Sequence, residues 1–69
     1  MSERIRISLE AARVNAKLNQ AQAAQALGVS VTTIVKWEKG ISFPSVDKAI
    51  ALARLYSIPI DNINFCHET

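Results

Sequence analysis

The sequence predicts an all-α fold, a compact bundle of four to five short helices in one domain over residues 1–69. Along most segments, apolar residues recur at intervals of three and four, as they do on the inner face of a helix. Ser, Asn and Gly stand where such segments begin and end. With 69 residues, 49% of them hydrophobic and 20% charged, the chain has a globular composition and the length of a single domain.

The first two predicted helices lie in SLEAARVNA and NQAQAAQAL. Ser8 suits the N-cap of the first, and Asn19 suits that of the second, with Gln22 at the spacing of a capping box. Gly28 is placed to end the second helix in a left-handed conformation. Their inner faces are predicted to hold Leu9, Ala12, Ala16, Ala23, Ala24 and Leu27.

The third segment, VSVTTIVKW at residues 29–37, is rich in β-branched residues and alternates like a strand. Its flanks favour a helix, because Ser30 is a good N-cap and Gly40 a good C-terminal stop. A strand here would also have no convincing partner, since RIRIS at residues 4–8 is short and an isolated hairpin is marginal. We therefore predict a helix over residues 31–38.

The fourth predicted helix, SVDKAIALARLY, opens just after Pro44, and IDNINF near the end is expected to form one or two helical turns. The spacing assigns the inner face of the fourth helix to Val46, Ala49, Ile50, Ala53 and Tyr56.

The second and third predicted helices have the form of a helix-turn-helix joined by GVS. Ala24 is small enough for a close crossing, and Gly28 permits the turn. In this motif the second helix lies in the DNA major groove. The wedge between the helices is predicted to hold Leu27, Val29, Ile34 and Trp37.

The stretch LNQAQAAQALGVSVTTIVKWEKGISFPSVDKAIALARLYSI resembles the Xre family of bacterial and phage repressors, the Cro/C1-type helix-turn-helix. The resemblance covers about residues 7–65, and GVS followed by WEKG and a downstream Pro makes it specific. It implies a lambda-repressor-like bundle, with the helix-turn-helix at about residues 20–38, that binds a double-stranded DNA operator. The matching residues are Leu18, Gln20, Ala24, Leu27, Gly28, Val29, Ser30, Ile34, Trp37, Glu38, Gly40 and Pro44.

The resemblance also implies which residues contact DNA. At the start of the second helix, Gln20 would contact a phosphate, as helix N-termini favour anions. The base-contacting positions are Val31, Thr32, Thr33 and Lys36, whose methyl, hydroxyl and ammonium groups suit base edges. The phosphate backbone would be met by Lys39, the Gly40 backbone and Ser42.

Arg13 and Glu38 match two positions that form a buried, structural ion pair in some members of the family. The sequence departs from the family pattern elsewhere. Lys17 stands where a Gly is usual and is expected to be left-handed, Ala23 replaces a larger Leu, and Pro59 offers no capping oxygen to the last helix.

Other classes of function find little support. With a single His at position 67, no Ser/His/Asp or Cys/His/Asn set can be assembled, so we expect no enzyme, cofactor or small-molecule substrate. Cys66, His67 and Glu68 are too few for a closed zinc site. Arg4 and Arg6 suit a basic arm on DNA but are expected to be a solvated terminus.

The bulk properties bear on location. The net charge of +2 permits a nucleic-acid partner without requiring one. A lone cysteine suits a reducing cytoplasm, MSERIRISLE lacks the apolar core of a signal peptide, and no apolar run approaches the ~18 residues that span a bilayer. We expect a cytoplasmic, nucleoid-associated bacterial protein with no membrane partner.

The expected function is that of a small transcriptional regulator, a repressor of phage or mobile-element type, acting as a homodimer at least on DNA. Its C-terminal apolar residues either form part of the dimer contact or close the bundle: Ile58, Ile60, Ile63 and Phe65. The alternative is a protein-interaction or antitoxin module that kept the fold and does not contact bases.

Overall fold

Four α-helices make up most of the computed structural model, which describes residues 7–65. The elements are β1 (Ile7–Ser8), α1 (Leu9–Asn15), α2 (Gln20–Leu27), α3 (Val31–Lys39), α4 (Val46–Leu55), a 3-10 turn (Ile60–Asn62) and β2 (Ile63–Asn64). The predicted helical bundle is confirmed, with a two-residue parallel strand pair added to it. No helix in this part of the chain combines the length and apolarity needed to cross a membrane.

Each α-helix begins at a side chain that caps it. The Ser8 hydroxyl accepts a hydrogen bond from the Ala11 N–H at 3.0 Å, and Asn19 and Gln22 form the full predicted capping box. Ser30 caps α3 and Ser45 caps α4 in the same way. Because capping chemistry is local, it fixes the start of α3 in a segment whose β-branched side chains favour a strand.

The four α-helices also end alike, in a left-handed residue whose successor donates its N–H to the carbonyl five positions back, at 2.9–3.3 Å. This is the Schellman arrangement. Two of the left-handed residues are the predicted glycines, Gly28 (φ 73°) and Gly40 (φ 76°). The other two are Lys17 (φ 64°), as the sequence predicts, and Ser57 (φ 55°), which it does not.

The core lies where the four helices meet, and Ile34 of α3 and Leu52 of α4 are its largest fully buried side chains. Trp37 is 7% exposed and extends this core along α3. Ala23 and Ala24 bring α2 close to its neighbours, because they add almost no side-chain bulk at the crossing. The remaining members are Leu9, Ala12, Ala53, Tyr56 and Ile63.

The inner face predicted for α4 is partly wrong. Val46 is 74% exposed and Ile50 is 40% exposed, whereas Leu52, which the pattern left out, is completely buried. Ala53 and Tyr56 are buried as predicted. The helix is thus rotated so that Leu52 faces the core, and its two bulky β-branched residues, Val46 and Ile50, face outward.

The end of the described chain also differs from prediction. The one or two helical turns expected there are a single 3-10 turn, Ile60–Asn62, and no side chain caps it after Pro59. The chain then pairs in parallel with β1, with Ile7 opposite Ile63 and Ser8 opposite Asn64. Part of RIRIS therefore does have a strand partner, one that lies at the far end of the sequence. Arg4, Arg6, Cys66, His67 and Glu68 lie outside the described residues.

Candidate nucleic-acid interface

The turn between α2 and α3 is set by the backbone of Gly28, whose φ of 73° and ψ of 30° reverse the chain within three residues. Val29 follows it and packs against the core. The last turn of α2 is tied to α4, because the Lys48 Nζ donates to the Leu27 carbonyl at 3.3 Å. The left-handed Gly28 and the Val29 N–H, which donates to the Ala24 carbonyl at 3.0 Å, form the tight turn between α2 and α3 that a helix-turn-helix requires.

Helix α3 has two chemically distinct faces. Ile34, Trp37 and Glu38 point inward and are each less than 9% exposed. On the other face Thr32 and Lys36 are exposed, and Val31 is 42% exposed. Because these outward side chains are one turn apart or adjacent, they form one continuous face that could enter a groove.

Thr33 is placed differently from its neighbours. It is half-buried, its N–H donates to the Ser30 hydroxyl at 3.1 Å, and its Oγ1 lies 3.0 Å from the same oxygen. Its hydroxyl is thus engaged with the Ser30 hydroxyl at the helix cap. Sequence reasoning did not find this, although a Thr three residues after a Ser N-cap is at the right spacing.

The residues predicted to meet the phosphate backbone lie at the end of α3. Lys39 is exposed, and Gly40 and Ser42 are half-buried. The N–H groups of Ile41 and Ser42 both point to the Lys36 carbonyl, at 2.9 and 3.4 Å. A phosphate at this point would therefore meet the Lys39 ammonium and the Ser42 hydroxyl in preference to these N–H groups.

A buried polar network joins α3 to the first two helices. The Arg13 Nε donates to Glu38 Oε2 at 2.7 Å, and Arg13 also donates to the Leu18 carbonyl at 2.9 Å. Gln20 Nε2 donates to Glu38 Oε1 at 3.0 Å. The structure thus brings together the two residues of the expected ion pair and adds Gln20, which the sequence placed with the phosphate contacts.

In this position Gln20 can contact both Glu38 and a phosphate. An amide nitrogen carries two N–H groups, of which Glu38 takes one. The backbone N–H of Gln20 is also the first of α2, where intrahelical partners are lacking. No acidic residue occupies the first turn of α2 or α3, so both helix N-termini stay favourable to an anion.

The network and its surroundings alter two ionisation equilibria. The hydrogen bond to Glu38 raises the pKa of Arg13 further above its already high ordinary value. Burial, assisted by the charge of Glu38, raises the pKa of Tyr56 to about 12. The Tyr56 hydroxyl is buried and finds no hydrogen-bond partner among the described residues.

Among residues 7–65, no three His, Cys, Asp or Glu side chains come together as metal ligands would.

Comparison with known proteins places the chain in a family. The sequence profile of the helix-turn-helix family matches residues 9–63. The chain is 35% identical over 57 residues to the cryptic phage CTXphi transcriptional repressor RstR of Vibrio cholerae. It is 34% identical over 55 residues to the HTH-type transcriptional activator BcrR of Enterococcus faecalis.

These alignments cover 83% and 80% of the chain but only 51% of RstR and 27% of BcrR, so the chain spans about half or less of these relatives. No solved structure matches it significantly. The family profile matches most of the chain, and its second and third helices form the expected motif. The chain therefore belongs to the Cro/C1-type (Xre) helix-turn-helix family of DNA-binding transcriptional regulators, a non-enzymatic class.

Proposed function

We propose that the chain binds a double-stranded DNA operator sequence-specifically, with α3 in the major groove, as a small repressor of phage or mobile-element type. The observation that carries this proposal is the division of α3 into two faces. Its buried face holds Ile34 and Trp37, while Val31, Thr32 and Lys36 stay outside, where the fold does not need them.

The outward side chains have the chemistry of base contact. Val31 and the methyl groups of Thr32 and Thr33 can pack on a thymine methyl, and the Thr32 hydroxyl can bond a base edge. Lys36 can donate to guanine O6 and N7. A contact of this kind discriminates between base pairs by about 1–3 kcal/mol.

Phosphate contacts would fix the position of α3 on the duplex. Gln20 and the N-terminus of α2 would hold one phosphate, and Lys39, Gly40 and Ser42 would hold another beyond the end of α3. The basic residues of α3, Lys36 and Lys39, both lie in its last turn, and its first turn carries no acid. This face therefore offers a duplex positive charge at α3 and unpaired N–H groups at α2.

A domain with one recognition helix covers only a few base pairs, so we propose that two copies occupy a two-fold symmetric operator with half-sites about one helical turn apart. The likeness to RstR, a phage repressor, supports repression, and BcrR, an activator, represents the opposite outcome. The site of action would be the nucleoid of a bacterial cytoplasm.

Selection of bound sequences from a random duplex pool tests the proposal. We expect enrichment of a palindromic site, and Lys36→Ala should change the preferred base at one position of each half-site. Lys17→Ala is the matched control, since it removes the same charge from the exposed α1–α2 connection. It should leave the selected sequence unchanged.

Absence of any enriched sequence for the wild-type chain at moderate salt would contradict the proposal. It would favour the protein-interaction or antitoxin module, for which the outward face of α3 is dispensable. A reporter gene placed behind the selected site then separates repression from activation.

A further inference from the structure

A cavity of about 450 Å³ lies where the last turn of α1 meets the end of α4 and the start of β1. Pockets that hold small molecules in proteins have volumes of about 300–1,000 Å³. Of the described residues that line this cavity, none belongs to α2 or α3. The cavity is therefore separate from the face proposed to meet DNA.

The wall of the cavity is largely apolar. Ile7, Leu55 and Ile58 contribute branched aliphatic side chains to it. Ala12 and Ala16, one turn apart on α1, leave the space that longer side chains would fill. No described residue in the wall carries a charged side chain. Because burying a charge without a partner is costly, the wall favours an uncharged ligand with an apolar body.

Three polar side chains also line the cavity. Asn15 and Ser57 are exposed, so they lie toward solvent, where an amide and a hydroxyl can both donate and accept hydrogen bonds. Tyr56 is 5% exposed, and its buried hydroxyl has no hydrogen-bond partner among the described residues. These side chains give a ligand that carries a polar group several partners on one side of its apolar body.

The two helices that border the cavity both end beside it. Ala16 is the C-cap of α1, and Tyr56 is the C-cap of α4. Within residues 7–65, no backbone N–H donates to the carbonyls of these two residues or of Asn15 and Leu55, which precede them. Helix C-termini also carry partial negative charge. Hydrogen-bond acceptors are thus concentrated here, and they suit a ligand that donates and disfavour an anion.

Backbone strain is concentrated at the same place. Among the described residues other than glycine, only Lys17 and Ser57 have a positive φ. Ser57 lines the cavity, and Lys17 directly follows a lining residue. The helices that end away from the cavity use Gly28 and Gly40 instead. A side chain is therefore kept in a strained conformation beside the cavity, and strain of this kind is typical of ligand sites.

We propose that this cavity binds a small uncharged molecule with an apolar body and at least one hydroxyl or amide group that donates a hydrogen bond. The apolar body would contact Leu55 and Ile58, and the donor would meet the free carbonyls at the helix ends. The proposal goes beyond the proposed function, because neither DNA nor α3 takes part in it.

Four probes that share one ring test the chemistry of the ligand: benzyl alcohol, toluene, benzoate and benzylammonium. Titration of the 69-residue chain, followed by the NMR shifts of its amide groups, gives each Kd and the residues affected. Benzyl alcohol should bind with a Kd of about 1–10 mM, as expected for so small a ligand, and shift the amides of residues 12–17 and 55–58.

Toluene should bind about two- to tenfold more weakly than benzyl alcohol, because it cannot donate a hydrogen bond to the free acceptors. Benzoate and benzylammonium should also bind more weakly, since the wall offers a charge no partner. The proposal is overturned if benzyl alcohol shows no saturable binding, or if any of the other three probes binds more tightly.

Ala16→Leu tests the position of the ligand. The larger side chain should fill part of the cavity and weaken the binding of benzyl alcohol at least about fivefold. Ala11→Leu is the matched control, because it makes the same change at a half-buried position of α1 that does not line the cavity. Circular dichroism shows that both variants fold. Equal weakening in the two variants would place the ligand elsewhere and contradict the proposal.

Ser57→Gly separates binding from folding. It should raise Tm, because glycine relieves the left-handed strain, and weaken the binding of benzyl alcohol about two- to fivefold, because the wall loses a hydroxyl group. Lys17→Gly is the control, since it relieves the same strain without removing a lining side chain. It should raise Tm and leave the Kd unchanged. An unchanged Kd in Ser57→Gly would contradict the proposed site.

These titrations contain no DNA, so they are independent of operator selection. If the chain binds benzyl alcohol in the cavity but selects no duplex sequence, the proposed function fails and the ligand site stands. If it selects an operator but binds none of the four probes, the ligand site is wrong and the proposed function stands.

Discussion

The Arg13 guanidinium on α1 and the Glu38 carboxylate on α3 lie 2.7 Å apart, with side chains only 10% and 4% exposed. Through this pair the recognition helix is attached to the first helix, and through Glu38 it is attached to Gln20 at the start of α2. The two elements proposed to meet DNA therefore share one buried carboxylate. The stability of α3 and the position proposed for it in the groove therefore depend on the same contacts.

Removing one partner of this pair should destabilise the domain severely. Arg13→Met leaves the Glu38 charge buried without its guanidinium, and a loss of about 3–5 kcal/mol in the free energy of unfolding is expected. Urea denaturation measures it. Glu10→Gln is the control, since Glu10 lies 4.0 Å from Arg13 but its side chain is 65% exposed, and its loss should stay below about 0.5 kcal/mol.

The double variant Arg13→Met with Glu38→Leu removes both charges, so it should be more stable than Arg13→Met alone. Equal losses in Arg13→Met and Glu10→Gln would show that the buried pair contributes no more than a surface contact.

The buried hydroxyl of Tyr56 should make stability fall at high pH. Its pKa is raised to about 12 in the folded chain from an unfolded value near 10, so the folded state holds the proton over that interval. The free energy of unfolding therefore falls by up to about 2–3 kcal/mol as pH rises from about 10 to 12, and Tyr56 causes no such fall below pH 10.

Tyr56→Phe isolates this effect from the titration of lysines. Because the hydroxyl has no partner among the described residues, its removal should be neutral or slightly stabilising near neutral pH. Tm values recorded from pH 9 to 12 should fall less steeply for Tyr56→Phe than for the wild type. Since the chain has one tyrosine, absorbance titration also reports its pKa directly.

Gly28→Ala should destabilise the turn by about 1–2 kcal/mol through backbone strain alone. Gly28 has a φ of 73°, and a Cβ added there would meet no atom within 4 Å. With no steric clash to relieve, the helix crossing should stay as it is. Chemical denaturation measures the fall in the free energy of unfolding, which should be smaller for Gly28→Asn, because Asn tolerates the left-handed region better. Equal falls in the two variants would show that backbone strain is not the cause.

Lys17→Gly should stabilise the domain. Lys17 ends α1 in the same left-handed geometry (φ 64°) but carries a Cβ. Relief of that strain exceeds the extra flexibility that Gly adds to the unfolded chain, so a gain of about 0.5–1 kcal/mol is expected. Thermal unfolding detects it as a higher Tm. Lys17→Ala keeps the Cβ and should bring no gain.

The two lysines at the end of α3 should differ in how they affect DNA binding. Lys39→Ala should remove the proposed phosphate contact, so we expect it to weaken binding to all sequences alike and to reduce the slope of log K against log salt by about one. Lys36→Ala should relax the preference at one base pair. Fluorescence anisotropy between low and moderate salt measures both. Identical effects of the two variants on selectivity would contradict the assignment.

Features fixed by local chemistry could be predicted from the sequence. Ser8, Asn19 and Ser30 cap helices because their side chains meet an N–H three residues ahead, and Gly28 and Gly40 end helices because they lack a Cβ. These signals fixed helix boundaries even in the β-branched stretch of α3. They carry no information on what lies across the core.

Features fixed by tertiary contact could not be predicted in the same way. In α4, the spacing of Val46 and Ile50 suggested one face, and packing against the other helices selected the face that holds Leu52. The hydrogen bond from Gln20 to Glu38 spans 18 residues and leaves no local pattern. The sequence was enough to name the residues of the candidate site. It could not show which of their atoms already take part in hydrogen bonds within the fold.

The parallel pairing of β1 with β2 has a mechanical consequence. If the chain is pulled from both ends, β1 is drawn toward its start and β2 toward its end, so the two strands slide along each other. Their hydrogen bonds are then loaded together and do not open one after another. The two short strands thus shield the helical core from tension applied through either flanking segment. Ile63, which is 4% exposed, anchors β2 in that core.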